Sequence, residues 1–269
     1  MEDIEILEQQ AIDAAINLEW DSATELNKQI LKIDKENVDA CLRLGFAYLQ
    51  LKNIEESRKY YNKSLRLRPK NQVALENLER LDIMEQGSHK KGKDRSNTNL
   101  NPSLFLEVPG KTKTISVVNL GQKKQLASVS VGQEVELKQK KRRIEVRTLN
   151  GDYLGSLPDD LSKRLIFFMK AKSVYKAYVQ EASLTRIVIF IKEELKGKKV
   201  SHYTSFPANI QNNLDKMENG EDVVENEETE EEDEEDELEK LAEKITDREE
   251  EGLSDMVTGS DEDNQEDEE

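Results

Sequence analysis

Six cations fall within ten residues of this chain: Lys138, Lys140, Lys141, Arg142, Arg143 and Arg147. Cationic side chains at that density can follow a phosphate backbone and displace its counterions. Tyr153, Tyr175 and Tyr178 lie downstream, and tyrosine rings can stack on bases. The competing reading is a solvated basic turn, with the tyrosines as ordinary packing residues. Catalysis has less to work with. His89 and His202 have no rigidly placed carboxylate or nucleophile beside them in sequence. No P-loop, GxSxG, HExxH or dinucleotide fingerprint occurs. The one cysteine, Cys41, rules out an internal disulfide framework or a cysteine-based metal site and reads as a small core residue. The chain is expected to be non-enzymatic, with no cofactor and no metal.

Charge divides the chain into three parts. Residues 1–86 hold 12 Lys+Arg against 17 Asp+Glu, residues 87–216 hold 25 against 12, and residues 217–269 hold 3 against 28. A basic middle is thus tethered to an acidic end, and the overall net charge of −17 describes neither. The acidic end (EETEEEDEEDELEK) cannot bury enough apolar surface to offset chain entropy and is expected to be disordered. Tethering it to the basic middle suggests an electrostatic self-mask against nonspecific phosphate binding; a solubilising tail is the plainer reading. The first residues, MEDIEILEQQ, lack the basic flank and apolar core of a signal peptide. No apolar run approaches the ~18 residues that would cross a bilayer. A cytoplasmic protein is expected.

The elements that must position these residues are legible from periodicity. Counted from Val38, Leu44, Gly45 and Tyr48 stand at positions 7, 8 and 11, Ser57, Tyr61 and Ser64 at 20, 24 and 27, and Pro69 at 32. Small residues at 8, 20 and 27 let two antiparallel helices approach closely, large ones fill the space between, and proline ends the second helix. The stretch Val38–Asn71 resembles the tetratricopeptide (TPR) repeat, a helix–turn–helix unit of 34 residues. Ile4–Asn37 is a weaker copy in the same phase, with Ala11, Ala23 and Ile30 at positions 8, 20 and 27, and Gln72–Gln86 suits a terminal capping helix. The resemblance implies a concave surface that receives an extended peptide. Positions 2, 5, 9, 12 and 13 of the clearer repeat place Asp39, Leu42, Phe46, Leu49 and Gln50 there, with Glu8 and Ile12 from the earlier one. Such a groove is apolar and faintly acidic. The alternative is that Leu42 and Phe46 pack the short solenoid against the β domain.

From Leu104 to about Glu194 the pattern turns strand-like: LFLEV, TISVVNL, EVELKQ, RIEVRTL, DYLGSL, VYKAYV and RIVIFIKE. Asn150-Gly151 predicts a tight hairpin in which both turn residues take positive φ. One helix is predicted after Pro158, with Leu161, Leu165, Phe168 and Met169 on one face. The run from Arg142 to Val179 resembles the later half of the HIRAN domain, a small β-barrel-like module that recognises DNA, including single-stranded 3′ ends. Leu154-Gly155-x-Leu157-Pro158 carries the likeness, and Ser156 stands where some members place a side chain that contacts base or phosphate.

The expected organisation is a multi-domain α-then-β chain. A TPR solenoid of two repeats plus a capping helix occupies 1–86, a flexible basic linker 87–103, and a small antiparallel HIRAN-like β domain with one helix 104–194. A basic, polar extension that can dock comes next at 195–216, then the acidic tail at 217–269. The expected function is a protein-interaction adaptor whose partner is another protein bound by the TPR module, with no membrane. The alternative is a protein whose β domain binds single-stranded DNA or RNA and whose tail masks it.

Overall fold

The computed structural model describes residues 4–87 and 102–207. Five helices come first: α1 (Ile4–Ile16), α2 (Trp20–Ile33), α3 (Val38–Gln50), α4 (Ile54–Leu67) and α5 (Gln72–Gly87). They form two helical hairpins and a closing helix, a TPR-type solenoid. The 34-residue period is visible in the turns as well as in the core. Asn37 and Asn71 each lend a side-chain oxygen to an otherwise unpaired first-turn amide, from Ala40 at 2.8 Å and Ala74 at 2.9 Å. Asn53 does the same for Glu56 N–H at the start of α4. Leu18 and Lys52, also 34 apart, both turn the chain in the left-handed region, with φ of 62° and 59°.

Gly45 is required by contact. A β-carbon there would meet Tyr61 Cε1 at 2.7 Å, so the smallest residue lets α4 lie against α3. Ser57 Oγ then donates to the Gly45 carbonyl at 2.7 Å. Leu44, Tyr61, Ile30 and Leu81 are fully buried. Cys41 is buried and free, and burial pushes its thiol pKa up, as suits a core residue.

The second part is one antiparallel six-stranded sheet in the order β1-β6-β5-β2-β3-β4. Its strands are β1 (Thr112–Ser116), β2 (Glu134–Gln139), β3 (Ile144–Thr148), β4 (Tyr153–Ser156), β5 (Val174–Ala182) and β6 (Ile187–Leu195). The sheet curls until its two edges meet: Val118, just past β1, exchanges backbone hydrogen bonds of 2.9 and 2.8 Å with Ser156 on β4. Side chains of alternate residues fill the interior, among them Ile115, Val135, Val146, Leu154, Val179 and Ile189. Two helices accompany the sheet, α6 (Lys123–Ser128) and α7 (Asp159–Lys170). Helix α7 adds Leu161 and Leu165 to the core, with Met169 packed against it.

Three local expectations are corrected. LFLEV is no strand: Pro102–Phe105 form a 3-10 turn and the first strand starts at Thr112. At Asn150-Gly151 only Gly151 takes positive φ, 90°, because the chain turns through a longer loop closed by Thr148 N–H to Asp152 C=O at 2.9 Å. The sheet has two helices rather than one, since α6 stands between β1 and β2; six residues are too few for a readable helical period. The stretch after β6 docks on the sheet as far as residue 207. Phe206 enters the core, and Ser205 is held by Tyr175 Oη at 2.7 Å and by Glu193. Of the basic linker expected at 87–103, Gly87 ends α5 and residues 102–103 belong to the 3-10 turn, while 88–101, like the acidic tail, lie outside the described residues.

Candidate functional site

The inner face of the solenoid carries a cavity of about 240 Å³ whose lining includes Trp20, Leu42, Phe46 and Val73. Trp20 meets Phe46 edge-on at 5.7 Å between ring centres. Ile12, 38% exposed, and Ile16, 67% exposed, extend apolar surface on α1. The polar end of the cavity is pre-paired. Arg43 donates to Asn27 Oδ1 at 2.8 Å and to Glu8 Oε1 at 3.0 Å. The faint acidity expected at Glu8 is therefore answered within the module.

The five groove positions read from the repeat separate here. Leu42 and Phe46 are half-buried and line the cavity, while Asp39 is exposed at the start of α3. Leu49 is buried with Tyr61, Ala74 and Leu81. Gln50 is buried and its Oε1 accepts from Val131 N–H at 3.0 Å, a residue of the barrel.

That bond belongs to a junction between helices and barrel that the sequence did not signal. Arg80 on α5 is only 3% exposed. Its guanidinium donates to the carbonyls of Ala127 (3.0 Å), Ala182 (2.8 Å) and Val129. No carboxylate joins it among the described residues. Burial pulls its pKa down to about 10, so it stays charged at neutral pH. Beside it Lys52 Nζ donates to Ser128 C=O at 3.1 Å, and Lys123 pairs with Glu79 at 2.6 Å. A lone arginine in a capping helix looks like a surface residue in sequence; its charge gave no hint of burial.

The basic cluster lies on the β2–β3 hairpin. Glu145, with a side chain 7% exposed, stands beneath it and binds Arg147 at 2.8 Å, Arg143 at 3.4 Å and Lys140 at 3.8 Å. Burial pushes the Glu145 pKa up, but the Arg147 hydrogen bond and the three cations outweigh it and hold the carboxyl below its usual value. Arg147 also donates to Gly151 C=O at 2.6 Å and lies over the Tyr153 ring. Half of the six cations are thus tied to one carboxylate, while Lys138, Lys141 and Arg142 project into solvent. Tyr175 points inward to Ser205, and burial raises its pKa. Ser156 is buried and accepts from Asn119 Nδ2 at 3.2 Å.

Among the described residues no cluster of His, Cys, Asp or Glu could hold a metal ion, and no helix is long and apolar enough to cross a membrane. No curated protein and no solved structure matches the chain, and the HIRAN resemblance of the barrel receives no support from these comparisons. Residues 38–71, helices α3 and α4 with the turn after them, match the tetratricopeptide repeat family, whose repeats are protein-interaction modules.

Proposed function

We propose that the chain is a non-enzymatic adaptor that holds a segment of another protein on the inner face of its helical module. The observation behind this reading is the apolar cavity between Trp20, Leu42, Phe46 and Val73. Its one polar edge is already internally paired, so a bound segment would be recognised by an apolar side chain rather than by charge. The test is an affinity capture with the full chain, treated with nuclease, against Leu42→Glu/Phe46→Glu. The reading predicts a partner lost by the double variant while circular dichroism shows the helices intact. A partner retained by that variant would falsify it.

A second reading has its own observation: Lys138, Lys141 and Arg142 are exposed and make no ion pair among the described residues. On this reading the barrel contacts single-stranded DNA or RNA, as the HIRAN-like pattern suggests. Arg142→Glu with Arg143→Glu should abolish binding of an oligonucleotide and leave capture of a protein partner unchanged. Binding that ignores both substitutions and salt concentration removes this reading.

A further inference from the structure

In the barrel segment Ala127–Val131, four of five residues give a backbone polar group to side chains of the helical module. The carbonyls of Ala127 and Val129 accept from Arg80, that of Ser128 accepts from Lys52, and Val131 N–H donates to Gln50. Two of the three side chains, Arg80 and Gln50, follow the repeat, while Lys52 lies in the turn after α3. Arg80 stands 34 residues after Phe46, at the equivalent place in the next inner helix, and Gln50 lies one turn beyond Phe46 on α3. Val73, at the start of α5, lines the same cavity as Phe46. Open apolar cavity and filled polar half are therefore successive parts of one face. Capping of α6 would account for the carbonyls of Ala127 and Ser128. It does not account for Val129 C=O and Val131 N–H, which lie past the helix end, where Val129 is extended (φ −70°, ψ 137°).

We propose that Ala127–Val131 is held by the helical module as an intramolecular peptide ligand. The remaining open part of the face then accepts a partner segment with one bulky apolar anchor and little chain on the side of α5. This rests on the inner face being the protein-binding surface. The cavity, about 240 Å³, is smaller than the ~300 Å³ at which small-molecule pockets begin, so it suits a single side chain. Continuity with the filled half sets where the partner must stop.

The test uses the full chain and two readouts. Hydrogen exchange at Val131 N–H should be slow and should quicken at least about thirtyfold in Gln50→Met, while Gly132 N–H, bonded to Val179, is unchanged. Fast exchange at Val131 in the parent chain, or no change in the variant, overturns the intramolecular ligand. Emission of Trp20, the single tryptophan, reports binding of acetyl-Ala-Phe-Ala-amide and of the same peptide lengthened by four residues at either end. One lengthened form should bind within about twofold of the short one. A gain above tenfold for both would show that the second half of the face is open. Failure of every peptide to bind sinks the protein-binding reading instead, and the Val131 exchange keeps the two failures apart.

Discussion

Glu145 draws three cations onto one carboxylate, and that arrangement makes the basic hairpin sensitive to acid. Its folded pKa lies below the unfolded value. The stability it contributes is therefore present above about pH 4.3 and is lost as pH falls through the lowered folded value. A carboxyl titration followed by nuclear magnetic resonance should show Glu145 protonating below the ordinary glutamate range of about 4.3, with loss of order in β2–β3 at the same step. Protonation at or above that value would contradict it. Tyr61 supplies a second residue-scale prediction. Its ring fills the space that Gly45 leaves, yet its hydroxyl is buried without a partner among the described residues, and burial pushes its pKa up. Gly45→Ala should cost about 1–3 kcal/mol through overpacking. Tyr61→Phe should cost nothing or gain about 1 kcal/mol, because it removes an unsatisfied polar atom. Urea unfolding of both variants, read by Trp20, separates the space the ring fills from the hydroxyl it carries.

The elements divide by how local their causes are. Helices α1–α5 follow from a 34-residue pattern of small and large residues, and β2–β6 from short, partly alternating runs rich in β-branched and aromatic residues, so both were legible in the sequence. Helix α6 and the 3-10 turn at Pro102–Phe105 were not, since neither is long enough to show a period. The groove was half legible. The spacing that places Leu42 and Phe46 beside the cavity places Leu49 and Gln50 equally well, and nothing local says that a segment about 80 residues later will cover Gln50. Arg80 is hidden for the same reason, because its partners are carbonyls, which every residue has. Its energetic weight is testable. Arg80→Met would leave three buried carbonyls without donors, at about 1–3 kcal/mol for each one that cannot relax, so a loss on the order of 3 kcal/mol is expected in thermal or urea unfolding. Arg80→Lys should recover only part of it, since an ammonium lacks the planar fork that reaches carbonyls at the end of α6 and at the end of β5. Equal stability of the parent chain and the Met variant would mean the carbonyls find other donors.

For the molecule as a whole, the junction explains how so short a solenoid can stand. Repeat modules bury their apolar faces against neighbours and generally need about three units, whereas two and a half are present here. The barrel supplies cover that a further repeat would otherwise give: α6 packs against α5, and segment 123–131 with Ala182 holds α5 and the end of α3 through Arg80, Gln50, Lys52 and Glu79. Helices and barrel accordingly fall in one compact unit, Met1–Ala208, and should unfold as one. Trp20 reports the helical module alone, because the barrel has no tryptophan. In the parent chain its emission and the sheet-dependent circular dichroism should change at the same temperature, with one calorimetric peak. In Arg80→Met the helical transition should move to lower temperature and separate from that of the barrel, whose core is closed on itself through Val118 and Ser156. Coincident transitions in that variant would show that apolar contact between α5 and α6 couples the two parts without the guanidinium, and the arginine would then serve the binding face rather than the fold.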